Sequence, residues 1–222
     1  MRLVAYSGYD EQNSAIDEHL ASMLPARRRA KMTYIPSAFN VPNHEFKYVQ
    51  SVYKDYGIVD ISVFHADLPF DKLQLKSILK SDLVYLSGGN TFYFLKSLRR
   101  AGLLEVLIKY VTDGGILAGL SAGAIILTPS ILTASFPDFD RDDNLVKLPK
   151  KDWKALNLLN FEIFPHFTRE PEYHTALLRA SKLTSTPILG LPDGSGIIVD
   201  GQITTYFGSV WCYTQGRSIK LT

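Results

Sequence analysis

The chain has 222 residues, 46% of them hydrophobic and 21% charged, with a formal net charge of +2. So weak a charge argues against a polyanion binder, so no nucleic-acid partner is expected, and the lone Cys212 excludes a disulfide framework or a cysteine metal cluster. No apolar run reaches bilayer length, and the one in "MRLVAYSG" is too short for a signal-peptide core, so a cytoplasmic protein without membrane contact is expected.

Along the chain, short apolar runs alternate with helical patterns. "RLVAY" reads as a strand and "NSAIDEHLASML" as an amphipathic helix with Ile16, Leu20 and Leu24 on one face. The basic run Arg27-Arg28-Arg29-Ala30-Lys31 reads as a solvated helix end. "KMTYIP" and "VDISVFHA" are two further strands, with His44 in a polar loop between them, and "DKLQLKSILKS" is a helix. "DLVYLSGGN" is a strand ending in glycines, "TFYFLKSLRRAG" and "LLEVLIKYVTDGG" are helices, and "ILAGL" is the next strand. Residues 129–160 break this rhythm with three prolines and a charge cluster, and read as a lid or specificity loop. Within them "DFDRDDN" starts like a calcium loop. Asp143 stands where that loop needs glycine and Pro149 where it needs glutamate, so no metal is expected. "FEIFPHF" and "TPILGLP" are strands around a helix in "PEYHTALLRASKL", and "GIIVDGQITTYFG" is a C-terminal β-hairpin turning at Asp200-Gly201. With no repeat or linker, the chain reads as a single domain, 1–222. Its class is α/β: a doubly wound, mostly parallel sheet with helices on both faces.

In such sheets ligands bind outside the carboxyl ends of the strands. "YSGYD", "PSAFN", "LSGGN" and "GLSAG" all fall there, which brings four small, polar loops to one edge. Gly119-Leu120-Ser121-Ala122-Gly123 fits G-x-S-x-G between a strand and a helix, the pattern of a nucleophile elbow. Small neighbours let strand and helix pack closely, the serine takes strained backbone angles, and the N–H of Ala122 is left free for an oxyanion.

A serine needs a base. Of the five histidines, His19 lies within a helix, His44 in a loop and His174 on a helix surface; His65 ends a strand and stays in reserve. His166, following "FEIFP", is favoured, and Asp193, ending the next strand in "GLPDG", is the best-placed carboxylate to orient it. Pro-Asp-Gly would also suit a plain turn, and Ser195 opens no helix that would make it a nucleophile. Gly88-Gly89-Asn90-Thr91 offers a second oxyanion donor; with neither G-x-G-x-x-G nor a Walker lysine, phosphate binding is the weaker reading.

"GGNTF" (88–92), "GLSAGA" (119–124), "PHFT" (165–168) and "GLPDG" (190–194) together resemble the S51 family of serine peptidases, which holds peptidase E, an aspartyl dipeptidase, and cyanophycinase. The resemblance implies an α/β fold related to class I glutamine amidotransferases, whose nucleophile is cysteine. It implies Ser121 as nucleophile, His166 as general base, and Gly89 with Ala122 as the oxyanion hole. The order Ser, His, acid differs from that of α/β-hydrolases. The position of Asp193 looks to be glutamate in peptidase E, which leaves Asp138 and Asp140 as substitutes for the third member. The resemblance also implies Asn90 and Thr91 beside a substrate's N-terminal aspartate, and an arginine for its carboxylate, for which Arg169 and Arg179 are available.

The expected function is a serine exopeptidase acting on short peptides, with Asp-X dipeptides as the substrate class, no cofactor and no metal. Its partner is the small peptide substrate, and a homodimer is open. A cyanophycinase-like isopeptidase acting on β-Asp-Arg and a non-catalytic small-molecule binder are the alternatives.

Overall fold

The structure, a computed structural model, describes residues 1–9, 13–25, 29–40, 43–137, 141–142, 146 and 148–222. Five strands come first: β1 (Arg2–Tyr6), β2 (Ala30–Ile35), β3 (Ile58–Val63), β4 (Leu83–Leu86) and β5 (Ile116–Leu120). Between them run α1 (Ser14–Ser22), α2 (Asn43–Asp55), α3 (Lys72–Leu79), α4 (Thr91–Arg100) and α5 (Leu103–Thr112), and α6 (Ala122–Leu127) follows β5. Next come β6 (Glu162–Phe164), α7 (Pro171–Ala180) and β7 (Ile188–Gly190). The chain ends in two hairpins, β8 (Gly196–Asp200) with β9 (Ile203–Phe207), and β10 (Trp211–Thr214) with β11 (Arg217–Lys220).

The first sheet has the order β3-β2-β4-β5-β1-β8-β9. Its first five strands are parallel, and β8 joins β1 antiparallel. Alternation along each strand divides the core. Leu3, Val84, Leu86 and Leu117 pack with Phe92, Leu95, Leu107 and Ile125 of α4, α5 and α6 on one face. Val4, Tyr6, Leu83, Tyr85 and Ile116 pack with Ile16, Leu20, Val49 and Tyr53 of α1 and α2 on the other. Strands buried on both faces need continuous apolar runs, as "RLVAY", "LVYL" and "ILAGL" supply. Among the described residues no helix is long and apolar enough to cross a membrane.

The α/β class holds, with three differences from the sequence reading. β6 and β7 do not extend the main sheet. They pair in parallel in a second sheet of order β11-β10-β7-β6, over a separate cluster of Phe164, Phe167, Leu177, Ile188 and Tyr213. His44 lies in helix α2 rather than in a loop, because Val49 and Tyr53, four apart, give the segment a buried helical face. Ala30 and Lys31 of the basic run open β2 instead of ending a helix; Arg27 and Arg28 lie outside the described residues.

The described flanks of the 129–160 segment are bonded in place. The N–H groups of Ala155, Leu156, Asn157 and Leu158 donate to the carbonyls of Pro129, Ile126, Thr128 and Leu127, and Ile131, Leu156 and Leu159 are buried. Most of "DFDRDDN", with Asp138 and Asp140, lies outside the described residues.

Candidate active site

Ser121 stands between β5 and α6 with φ 50° and ψ −108°, a conformation that costs a non-glycine residue about 1–3 kcal/mol. The glycines beside it explain how the turn fits. A Cβ on Gly119 would lie 2.7 Å from the backbone nitrogen of Ala124, and one on Gly123 would lie 2.8 Å from Leu86 Cβ. The turn is held by hydrogen bonds from Ser121 N–H to Tyr6 O (3.0 Å) and from Gly123 N–H to Ser87 O (3.1 Å).

The second sheet supplies the remaining groups. His166 follows β6 and Asp193 follows β7, and these parallel strands end side by side, with Phe164 opposite Gly190. His166 Nε2 lies 2.8 Å from Ser121 Oγ, and His166 Nδ1 lies 2.7 Å from Asp193 Oδ1. The two contacts fix a tautomer: Nδ1 carries the proton and donates it to Asp193, while Nε2 accepts the Ser121 hydroxyl. His166 is also left-handed, at φ 53°, so both residues of the Ser121–His166 contact sit in strained backbone. His65 packs edge-on against Phe39, and His174 Nδ1 lies 2.8 Å from Tyr213 OH, so neither belongs to this arrangement. Burial pushes the Tyr213 hydroxyl up to about 12, so it stays protonated beside that ring. Ser195 is buried, and its Oγ accepts the Ser209 N–H at 3.1 Å.

Gly89 has φ +125°, open only to glycine, and a Cβ there would lie 3.0 Å from Ser37 Cβ. Ala122 is the first residue of α6, where amides have no partner within the helix. Gly89 and Ser121 line one cavity of about 310 Å³, together with Thr91, Thr133, Phe136, Asp142 and His166. Asn90 caps α4 by accepting the Tyr93 N–H at 2.8 Å, and its Nδ2 donates to Asp142 O at 2.7 Å. Thr91 N–H donates to Asp142 Oδ2 at 2.8 Å. Arg169 is not brought to this group: its guanidinium lies over the Trp211 ring, 5.7 Å from the centroid. Arg179 lines a neighbouring cavity of about 590 Å³ that shares Phe136 with the first.

Sequence reading did not single out Ser7, Gly8, Thr133 or Asp142. Ser7, fully buried after β1, accepts the His166 N–H at 2.7 Å and donates to Leu191 O at 2.7 Å, with Asp193 Oδ1 at 3.2 Å. A Cβ on Gly8 would lie 2.6 Å from Asp193 Cγ. The signal was the "YSG" at a strand end, but its partners are 159 and 186 residues away.

Behind the site, buried Glu162 opens β6 and accepts hydrogen bonds from Thr128 Oγ1 (2.7 Å) and Ser130 Oγ (2.8 Å). Burial pushes its carboxyl above the usual carboxylate range, against the opposing pull of those hydroxyls. Among the described residues no group of three or more His, Cys, Asp or Glu side chains is set to hold a metal.

Fold and geometry define an α/β protein with a serine, a histidine and an aspartate in hydrogen-bonded series at the carboxyl ends of its strands. The chain belongs to peptidase family S51, whose model matches residues 3–206, and the protein is a peptidase. It is 29% identical over 214 residues to peptidase E of Streptomyces coelicolor, covering 90% of this chain and 82% of that one. An uncharacterized peptidase of Listeria monocytogenes is 32% identical over 142 residues, 63% of this chain and 67% of its own. The crystal structure of a candidate peptidase E from Listeria monocytogenes superposes with a TM-score of 0.71 at 21% identity, covering 93% of this chain and 98% of that one, a likeness of fold.

Proposed function

We propose that the protein is a serine exopeptidase of short peptides, dipeptides with an N-terminal acidic residue first among them, working through Ser121, His166 and Asp193. The observation that carries the proposal is the continuous series of contacts, 2.8 Å from Ser121 Oγ to His166 Nε2 and 2.7 Å from His166 Nδ1 to Asp193. Ser121 Oγ attacks the scissile carbonyl carbon as its proton passes to Nε2, and Asp193 stabilises the resulting imidazolium. The N–H groups of Gly89 and Ala122 receive the oxyanion. His166 then returns the proton to the leaving amine, and water attacks the acyl ester by the same route to free the acid.

The restriction to small substrates rests on the size of the cavity, about 310 Å³, with Phe136 and Phe164 in its wall. The acidic preference rests on the resemblance to peptidase E.

Incubation with Asp-Leu, Ala-Leu and β-Asp-Arg, followed by chromatography of the released amino acids, tests the reading. Release of leucine from Asp-Leu, faster than from Ala-Leu and lost in Ser121→Ala, is the expected result. Cleavage of β-Asp-Arg in preference to both would replace it with an isopeptidase.

A further inference from the structure

Ser87 directly follows β4, in the stretch "LSGGN", and is fully buried. Its N–H donates to Ile35 O at the end of β2 (3.0 Å), and its carbonyl accepts the Gly123 N–H of α6 (3.1 Å). Its hydroxyl accepts the Ser37 N–H at 2.8 Å and donates to Gly88 O at 2.8 Å. The backbone bonds tie β4 to its neighbours. The hydroxyl bond to Gly88 does something else, because it holds a single loop peptide.

That peptide joins Gly88 to Gly89 and is trans, so its C=O and N–H point in opposite directions. With Gly88 O turned toward the buried Ser87 hydroxyl, the Gly89 N–H turns away from it, and Gly89 lines the Ser121 cavity. Two successive glycines would otherwise leave this unit free to rotate. Rotated by half a turn, it would present a carbonyl oxygen to the cavity and repel an oxyanion. Ser37, whose N–H holds the Ser87 hydroxyl, also packs against Gly89: a Cβ there would lie 3.0 Å from Ser37 Cβ. The Ser87 carbonyl meanwhile fixes Gly123, the residue after Ala122, at the start of α6.

We infer that Ser87 is a positioning residue for the oxyanion hole, its hydroxyl latching the Gly88–Gly89 peptide with the Gly89 N–H aimed at the reacting carbonyl. The inference rests on the peptidase reading of the same cavity and deepens it. Ser87 never touches substrate, and the donor it aims gains strength only as charge develops on the carbonyl oxygen.

Ser87→Ala removes the hydroxyl and keeps both backbone bonds. Steady-state kinetics on Asp-Leu should give a kcat about 10- to 100-fold lower with KM nearly unchanged, short of the roughly 10²- to 10³-fold cost of losing a whole oxyanion donor. A second measurement uses the aldehyde of aspartate, in which CHO replaces the α-carboxyl. Ser121 Oγ adds to its carbonyl carbon as the hydroxyl proton passes to His166, which leaves the aldehyde oxygen in the hole. Inhibition by this compound should weaken in Ser87→Ala by the same factor as kcat. Calorimetric binding of intact Asp-Leu to the Ser121→Ala protein should stay the same when Ser87→Ala is added. A kcat within about twofold of the unmodified protein would overturn the inference, as would equal losses of Asp-Leu binding and aldehyde inhibition, which would make Ser87 a residue of the fold alone. Absence of turnover by the unmodified protein would instead remove the peptidase reading, and this inference with it.

Discussion

The hydroxyl of Ser7 accepts the backbone N–H of His166 at 2.7 Å, and so ties the end of β1 in the first sheet to the residue that follows β6 in the second. The same oxygen donates to Leu191 O, and a strained His166 at φ 53° is held from behind by a group that never reaches the cavity. Ser7 is therefore a positioning residue for both His166 and Asp193.

Ser7→Ala leaves the His166 N–H without its acceptor, a loss of about 1–3 kcal/mol, while Leu191 O keeps the hydrogen bond from the Phe167 N–H. The expected result is a kcat about 10- to 100-fold lower with KM nearly unchanged, because the ring's aim suffers while the cavity does not. Steady-state kinetics on the preferred dipeptide separates the two constants. A rise in KM at constant kcat would point to a different role.

Asp193→Asn is expected to keep the fold and lower kcat by up to about 10⁴-fold, since an amide cannot hold His166 in the same tautomer as a carboxylate. Gly8→Ala should mimic part of that loss, because the new Cβ would displace the Asp193 carboxylate from its place. Circular dichroism alongside the rates distinguishes lost catalysis from lost structure.

Gly123→Ala places a methyl group against Leu86 in a fully buried position. Overpacking of this kind costs about 1–3 kcal/mol, which for a chain of this size lowers the melting temperature by roughly 2–12 °C. Calorimetry checks the shift.

Glu162 gives a pH dependence with a definite sign. Burial raises its folded pKa above the unfolded value, so in that window the folded chain holds a proton that the unfolded chain has lost. The contribution to stability is present below the unfolded pKa and is lost as pH rises through the folded one. Glu162→Gln, which cannot ionise, should flatten this slope in urea midpoints measured from acid to neutral pH. Its stability relative to the unmodified protein should improve as pH rises.

Much of this was legible in the sequence, for particular reasons. Ser121 announced itself because a strand-to-helix turn this tight demands Gly119 and Gly123, and both are visible as letters. His166 and Asp193 were singled out by their places at strand ends, and the structure brings both beside Ser121. The second sheet was hidden because a buried strand reads as the same apolar run in either sheet. The partners of "ILG" lie in a tail whose half-buried, short strands carry weak alternation. Helix α2 was masked by its polar opening, although Val49 and Tyr53 held the period. Ser7 and Asp142 were not legible: each is bonded to partners far away in the chain, and a serine or aspartate in a loop has no local signature of such a bond.

The central claim is that Ser121 is a nucleophile activated by His166. The most direct measurement is covalent labelling with a fluorophosphonate, with the adduct located by peptide mass mapping. A single adduct on Ser121, absent in Ser121→Ala and strongly slowed in His166→Ala, is the predicted result. No adduct on the unmodified protein, or an adduct that persists in Ser121→Ala, would contradict the account.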